Sequence, residues 1–340
     1  MLASVVVGLV LLGLFLTVQG SVAGPSGGAQ VAATSWSSGW QPIAQGATRT
    51  FTHSLGGVPE DYAVELWFKD TDGNLGINRR GYGAYEIGGQ WYGAHWQRLT
   101  SNTIQVRRLA QDEAADQILV RVWLAPLPLG GYDSGWTDIN PGQTITFPHN
   151  RSITSTDLSV GLWFSGTVRG IHQYSFGGLA IDGPGNAAKL LIGAHWHNLT
   201  DNQVQVTRHS DDVMVEQVRV IVLEGATPDY DSLVDLGGWQ SVAQDTVFTF
   251  THNLNAPPMS QLMRAECYDP AVLGINLAQA GGNVASWFTD TDKGVNIQNV
   301  GPNSVQVYRW ADDDVCPQVR LRVWRGPVFQ VYLPLTLRDY

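Results

Sequence analysis

Apolar and polar side chains alternate one by one through much of this chain. Ile104 and Val106 are interleaved with Gln105 and Arg107, and TRTFTH, TITFPH and TVFTFT repeat the pattern from Thr48, Thr144 and Thr246. A period of two is that of a strand with one face on a core. Further strands are predicted over Ile118–Trp123, Val218–Leu223 and Val319–Trp324. Gly-Gly, Asp-Gly, Asn-Pro-Gly and Gly-Pro steps between the runs supply turns. Beyond the N-terminal segment no stretch holds a helical period. The expected fold is all-β, with antiparallel sheets packed face to face as sandwiches.

The pattern occurs three times in the same order. Each copy opens on Gly-Trp (Gly39-Trp40, Gly135-Trp136, Gly238-Trp239) and continues to Phe-x-His (Phe51/His53, Phe147/His149, Phe250/His252). Copies one and two share an apolar strand containing Leu-Trp-Phe (66–68 and 162–164), then GAHW (93–96 and 193–196) and Leu-Thr. A Gln-Val-x-Arg strand ends at Arg108, Arg208 and Arg309. So many motifs in one order define a tandem repeat. The predicted organisation is an N-terminal apolar segment at 1–24, a linker at 25–36, repeats at 37–126, 134–226 and 237–327, and a tail at 328–340. Pro126–Asp133 and Thr227–Leu236 read as short connections, so neighbouring copies are expected to touch rather than swing freely.

Met1–Val18 is almost wholly apolar and is followed by small residues, while the first charged residue is Arg49. Two readings stand: a secretory signal peptide cleaved after Ala23, or a retained hydrophobic anchor helix. Both place the protein outside the cell or on its surface. Charged residues are only 15% of the chain and the net charge is −10. With lysine only at 69, 189 and 293, no basic stripe exists to hold nucleic acid. The two cysteines, Cys267 and Cys316, both fall in the third copy and are expected to form one disulfide in an oxidising compartment.

The order Gly-Trp, Phe-x-His, apolar strand, aromatic strand before Leu-Thr and final Arg strand resembles the H-type lectin domain. That resemblance implies a small antiparallel β-sandwich that binds sugars such as N-acetylgalactosamine and assembles in threes; together with the short connections it implies that the three copies pack side by side as an intramolecular pseudo-trimer. Its sugar site, formed by an aromatic, a His, an Arg and an acidic residue, would fall here on His95, Trp96 and Arg108, and on His195, Trp196 and Arg208. Such residue types suit a sugar, whose apolar face stacks on a ring while its hydroxyls need fixed polar groups. The third copy has Asn296-Ile297 in place of His-Trp and is expected to lack the site.

Other motifs read as structure. Phe-x-His recurs in every copy and is expected to be architectural. His195 and His197 have the spacing of metal ligands, but Gln97 stands at the matching place in copy one and no third ligand is evident, so no metal is assigned. Asp70-Thr-Asp72-Gly-Asn74 opens like a calcium loop, yet Leu75 and Gly81 stand where an EF-hand needs Gly and Glu. Nucleophile-elbow, zincin, P-loop and dinucleotide signatures are lacking, and neither catalysis nor a cofactor is expected. The function expected is multivalent carbohydrate binding or adhesion, with glycans or cell-surface polysaccharide as partners. The alternative is a structural subunit of an extracellular filament, sheath or surface layer, self-assembling through the N-terminal segment and the apolar tail.

Overall fold

The computed structural model describes residues 35–87, 90–124, 131–182, 189–225, 227–278, 283–284 and 292–325. The apolar N-terminal segment, the tail and the linker as far as residue 34 lie outside these residues, whereas Ser35 and Trp36, expected in the linker, are paired with the closing strand of unit one. Among the described residues no helix is long and apolar enough to cross a membrane.

Each repeat is a sandwich of two antiparallel sheets. In the first unit the larger sheet runs Ser35–Ser37, Gln117–Leu124, Tyr62–Lys69, Ile77–Asn78, with Gln41–Pro42 also paired to Gln117–Leu124. The smaller sheet runs Thr48–Thr52, Thr103–Arg108, Ala94–Gln97, and a hairpin joins Tyr85–Ile87 to Gln90–Tyr92. Units two and three repeat this order. The predicted alternation is what fills the core: Phe51, Ile104, Val106, Leu66, Phe68, Ile118, Val120 and Val122 all point between the two sheets of unit one. The connections join the sheets as well. Tyr132–Asp133 pairs with the closing strand of unit two, and Tyr230–Asp231 with that of unit three, followed by a single helical turn at Ser232–Asp235.

The central and closing strands break the alternation because both their faces are covered. Glu65, Trp67, Leu119, Arg121 and Trp123 point away from their own core and are buried nonetheless. Trp67 and Leu119 belong to the core cluster of unit three, and Trp163, the counterpart of Trp67, sits in the cluster of unit one. Ile275 and Tyr268 of unit three pack into unit two. Each unit therefore lays the outer face of its larger sheet on a neighbour: one on three, two on one, three on two. This head-to-tail order closes after three steps into a ring within one chain. The recurrent Gly-Trp motif serves the same purpose. Trp40, Trp136 and Trp239 pack on the cores of units three, one and two respectively.

Backbone hydrogen bonds stitch each seam in the same way. The NH of Leu99 donates to Ile171 O at 3.3 Å, that of Leu199 to Ile275 O at 3.3 Å and that of Val300 to Ile77 O at 3.2 Å. A guanidinium crosses each seam as well, and donates to the middle residue of an equivalent one-turn 3-10 helix. Arg219 reaches the carbonyl of Glu60, Arg320 that of Thr156 and Arg121 that of Met259. Acidic partners hold these arginines: Asp133, Asp231 and Glu65.

Cys267 and Cys316 are disulfide-bonded, with Cα atoms 4.9 Å apart, in the core of unit three. They occupy the places of Phe68 and Ala115 in unit one, so the bridge replaces an aromatic contact. Closing a loop of 49 residues removes about 4 kcal/mol of unfolded-state entropy. Mass spectrometry of the unreduced protein should find no free thiol, and Cys267→Ala/Cys316→Ala should lower the melting temperature. Two free thiols would contradict the bridge.

Because the cores share side chains, the three units should unfold together. Calorimetry is expected to give one transition, lowered as a whole by Trp163→Ala, a loss of about 3–5 kcal/mol. Three separate transitions would contradict the shared-core ring.

Candidate functional site

The sequence-predicted site residues divide into three groups. Trp96 and Trp196 have no exposed surface and lie in the cores of units one and two. No sugar ring has access to either indole in this arrangement. Trp96 Nε1 instead donates to Gln173 Oε1 at 2.9 Å, and its ring meets Trp163 edge-on at 5.7 Å, so it is part of the seam with unit two.

Arg108 and Arg208 form a staple that recurs in every copy. Arg108 Nε donates to Asp112 Oδ2 at 2.9 Å, Arg208 Nε to Asp212 Oδ2 at 2.9 Å and Arg309 Nε to Asp313 Oδ2 at 2.7 Å. The Nη1 atoms donate to the carbonyls of Ile43, Ile139 and Val242. The three aspartates accept in turn from the NH of Gly93, Gly193 and Gly294. Gly93 and Gly193 open the GAHW motif at positive φ, where a Cβ would lie 2.0 Å from the carbonyl oxygen of Gly81 or Ser175. These arginines are therefore committed to the sandwich rather than to a ligand.

His95 and His195 are the remaining pair, and both sit at seams. They point to the face of the smaller sheet opposite the tryptophan. At the seam of units one and two, His95 Nε2 lies 3.1 Å from Gln97 Oε1 and 3.3 Å from Arg169 Nη1. Tyr174 packs edge-on against His95 at 4.8 Å, and Arg169 stacks over Tyr174 at 4.2 Å. Burial, reinforced by the charge of Arg169, holds His95 well below the ordinary histidine pKa. At the seam of units two and three, His197, His195 and His209 form a row with ring centroids 5.1 and 5.0 Å apart. Burial, then the two neighbouring imidazoles, keeps His195 neutral. At the seam of units three and one the same places hold Asn296 and Gln298, bonded to each other at 3.1 Å, while Arg80 stacks over Trp310 at 4.8 Å.

Arg169, Tyr174 and His209 escaped the sequence reading because two of them come from the neighbouring copy and the third follows the Arg strand. Aligning the copies residue by residue would have marked these places as the variable ones in a repeating frame.

The remaining motifs have structural surroundings. His53, His149 and His252 are buried, and each Nδ1 accepts a backbone NH two residues on. Asp70 accepts from the NH of Gly73 and Leu75, which makes it the hub of a turn. Asp72 and Asp116 lie near it, and these three are the one group of potential metal ligands that converges among the described residues. Asp116, however, is engaged by Thr71 and Arg108. A separate cavity of about 210 Å³ lies between the units, bordered by Trp163, Leu223, Met263 and Trp324. Comparison with protein-family models, with curated proteins and with solved structures finds no match to this chain.

Acid should destabilise the fold through His172 of unit two. Its Nε2 donates to Met214 O at 3.1 Å and its Nδ1 accepts from the NH of Tyr174 at 3.0 Å, which fixes the neutral tautomer. Burial lowers its pKa to about 4. Between that value and the unfolded value of 6.5 the unfolded chain binds the extra proton, so stability falls as pH is lowered through this window. The shift corresponds to roughly 3 kcal/mol. Asn78 and Asn276 fill the same place in the other units and donate to the matching carbonyls. His172→Asn should therefore fold and reduce the fall in melting temperature between pH 6.5 and 4.5, the remainder coming from the other buried histidines; an unchanged slope would clear His172.

Proposed function

We propose that this chain is an exported, non-catalytic carbohydrate-binding or adhesion protein that presents several binding seams on one closed ring. The observation that carries this reading is the threefold recurrence of one backbone seam with different polar side chains: His95/Gln97, His195/His197 and Asn296/Gln298. A constant frame with variable polar contents suits recognition of several related groups on one polymer. Fixed spacing within a single chain gives avidity without loss of orientation. The resemblance to the H-type lectin domain, with its assembly in threes, points the same way, and the disulfide suits an oxidising compartment.

The reading differs from the sequence expectation in where binding falls. It lies between units, not on the tryptophan and arginine of one copy. A glycan array probed with the full chain should give specific binding. His95 and His195 are themselves buried and act by positioning the polar residues around them at the seam; His95→Asn and His195→Asn, which install the residue that unit three already has, should each weaken binding about tenfold, or 1.4 kcal/mol, without lowering the melting temperature appreciably. A wild-type chain that binds no glycan would overturn the reading.

One observation favours the structural-subunit alternative. The outer strands Thr48–Thr52, Thr144–Pro148 and Thr246–Thr251 are each paired on one side only among the described residues. Such edges can accept a further strand. Ordered polymers in electron micrographs would favour that alternative.

A further inference from the structure

The chain carries a net charge of −10, yet one seam collects positive charge without compensation. Arg98 and Arg107 come from unit one and Arg169 from unit two. The NH of Arg98 donates to the carbonyl of Arg169 at 2.9 Å, and the Arg98 side chain reaches Val168 O at 3.4 Å. Arg107 is the cross-strand partner of His95 and so shares its face of the sheet. Arg169 Nη1 bonds to Gln97 and His95 on that same face. The three cations feel one another. Burial lowers the pKa of Arg169, Tyr174 beneath it works in the opposite direction, and the like charges of Arg107 and Arg98 lower it further. Among the described residues no carboxylate pairs with any of the three, although the buried arginines at the other crossings all have acidic partners. Arg169 Nε is buried and donates to nothing.

The other two seams show that the fold has no need of these charges. Where Arg98 stands, the equivalent residues are Asn198 and Asn299, whose NH groups make the same bond across the seam. Thr207 and Tyr308 replace Arg107, and Leu273 and Leu75 replace Arg169. All three positions are cationic at one seam and uncharged at both others. Like charges brought together without a counter-ion cost stability, and a buried guanidinium NH without an acceptor adds to that cost.

We infer that the seam between units one and two is an oxyanion site, in which Arg98, Arg107 and Arg169 take the sulfate ester or uronate carboxylate of an acidic polysaccharide. Arg169, held at the seam by Gln97 and Tyr174, supplies one guanidinium, and the exposed Arg98 and Arg107 close on the same group from the side of unit one. Guanidinium groups suit this task because their NH donors are fixed in the plane that sulfate and carboxylate oxygens match. The polysaccharide part of the inference rests on the proposed carbohydrate function; the oxyanion part does not.

The test uses the full chain with three probes: dextran sulfate, polygalacturonate and uncharged dextran, each titrated at two salt concentrations, with free sodium sulfate as a fourth arm read by thermal shift. Dextran sulfate or polygalacturonate should bind and uncharged dextran should not. Arg98→Gln/Arg107→Gln changes two exposed side chains. In the absence of anion its melting temperature should equal or exceed that of the wild type, because like-charge repulsion is relieved, while binding weakens at least tenfold and its salt dependence falls. Arg49→Gln, an equal type of charge change elsewhere, should leave binding unchanged. If sulfate stabilises the wild type but not the double variant while neither acidic polymer binds, the oxyanion site stands and the carbohydrate reading falls. Equal binding by wild type and double variant, an equal loss in Arg49→Gln, or no response to any anion would overturn the site.

Discussion

The structure depends on covering a sheet face that one copy alone leaves bare. Glu65, Trp67, Leu119 and Trp123 turn outward from the sandwich of unit one, and their counterparts do so in units two and three. A single unit would expose this band of aromatic and aliphatic surface to water. The head-to-tail ring removes it three times over, and the tether between copies makes association intramolecular. The Gly-Trp motif, the strand pairing across seams and the crossing arginines all serve this burial.

The three seams are sealed by different chemistry. Units one and two insert Trp67 and Trp163 into a neighbouring core. Unit three has Glu266 at that place, surrounded by Arg264, Arg320 and Arg322. Arg322 and Arg264 also donate to the carbonyls of Leu158 and Val160 in unit two. Apolar wedges gain from leaving water, whereas a buried ionic cluster must offset its own desolvation through geometry. A chain with one ionic and two aromatic seams distinguishes its copies, so each unit has one preferred neighbour.

Agreement and divergence among the copies mark different kinds of residue. Arg108, Arg208 and Arg309 agree because each satisfies the same backbone carbonyl and anchors the same aspartate. The divergent positions, such as Arg169, Leu273 and Leu75, surround a seam whose backbone bonds do not depend on the side chain. Side-chain chemistry is free to vary there, and the electrostatic character of the three seams differs accordingly.

The strands and their repetition were legible in the chain because alternation and turn residues are local properties. Ile104 and Val106 point inward as their period requires, and the three copies share one topology. The same local pattern did not reveal which motif residues the fold itself engages. GAHW reads as an exposed pair of ligands, but Trp96 is core and Gly93 serves a close backbone approach. Arg108 reads as a donor to sugar, but Asp112, four residues on, claims it. The connections read as linkers, whereas Tyr132 and Tyr230 enter the sheets. What the sequence by itself determined was the unit: its strands, its turns and its threefold recurrence. Only the tertiary structure decided which outward faces would be buried and which residues of different copies would meet, because the ring brings together Arg98 and Arg169, Asn198 and Leu273, through contacts that no local period encodes.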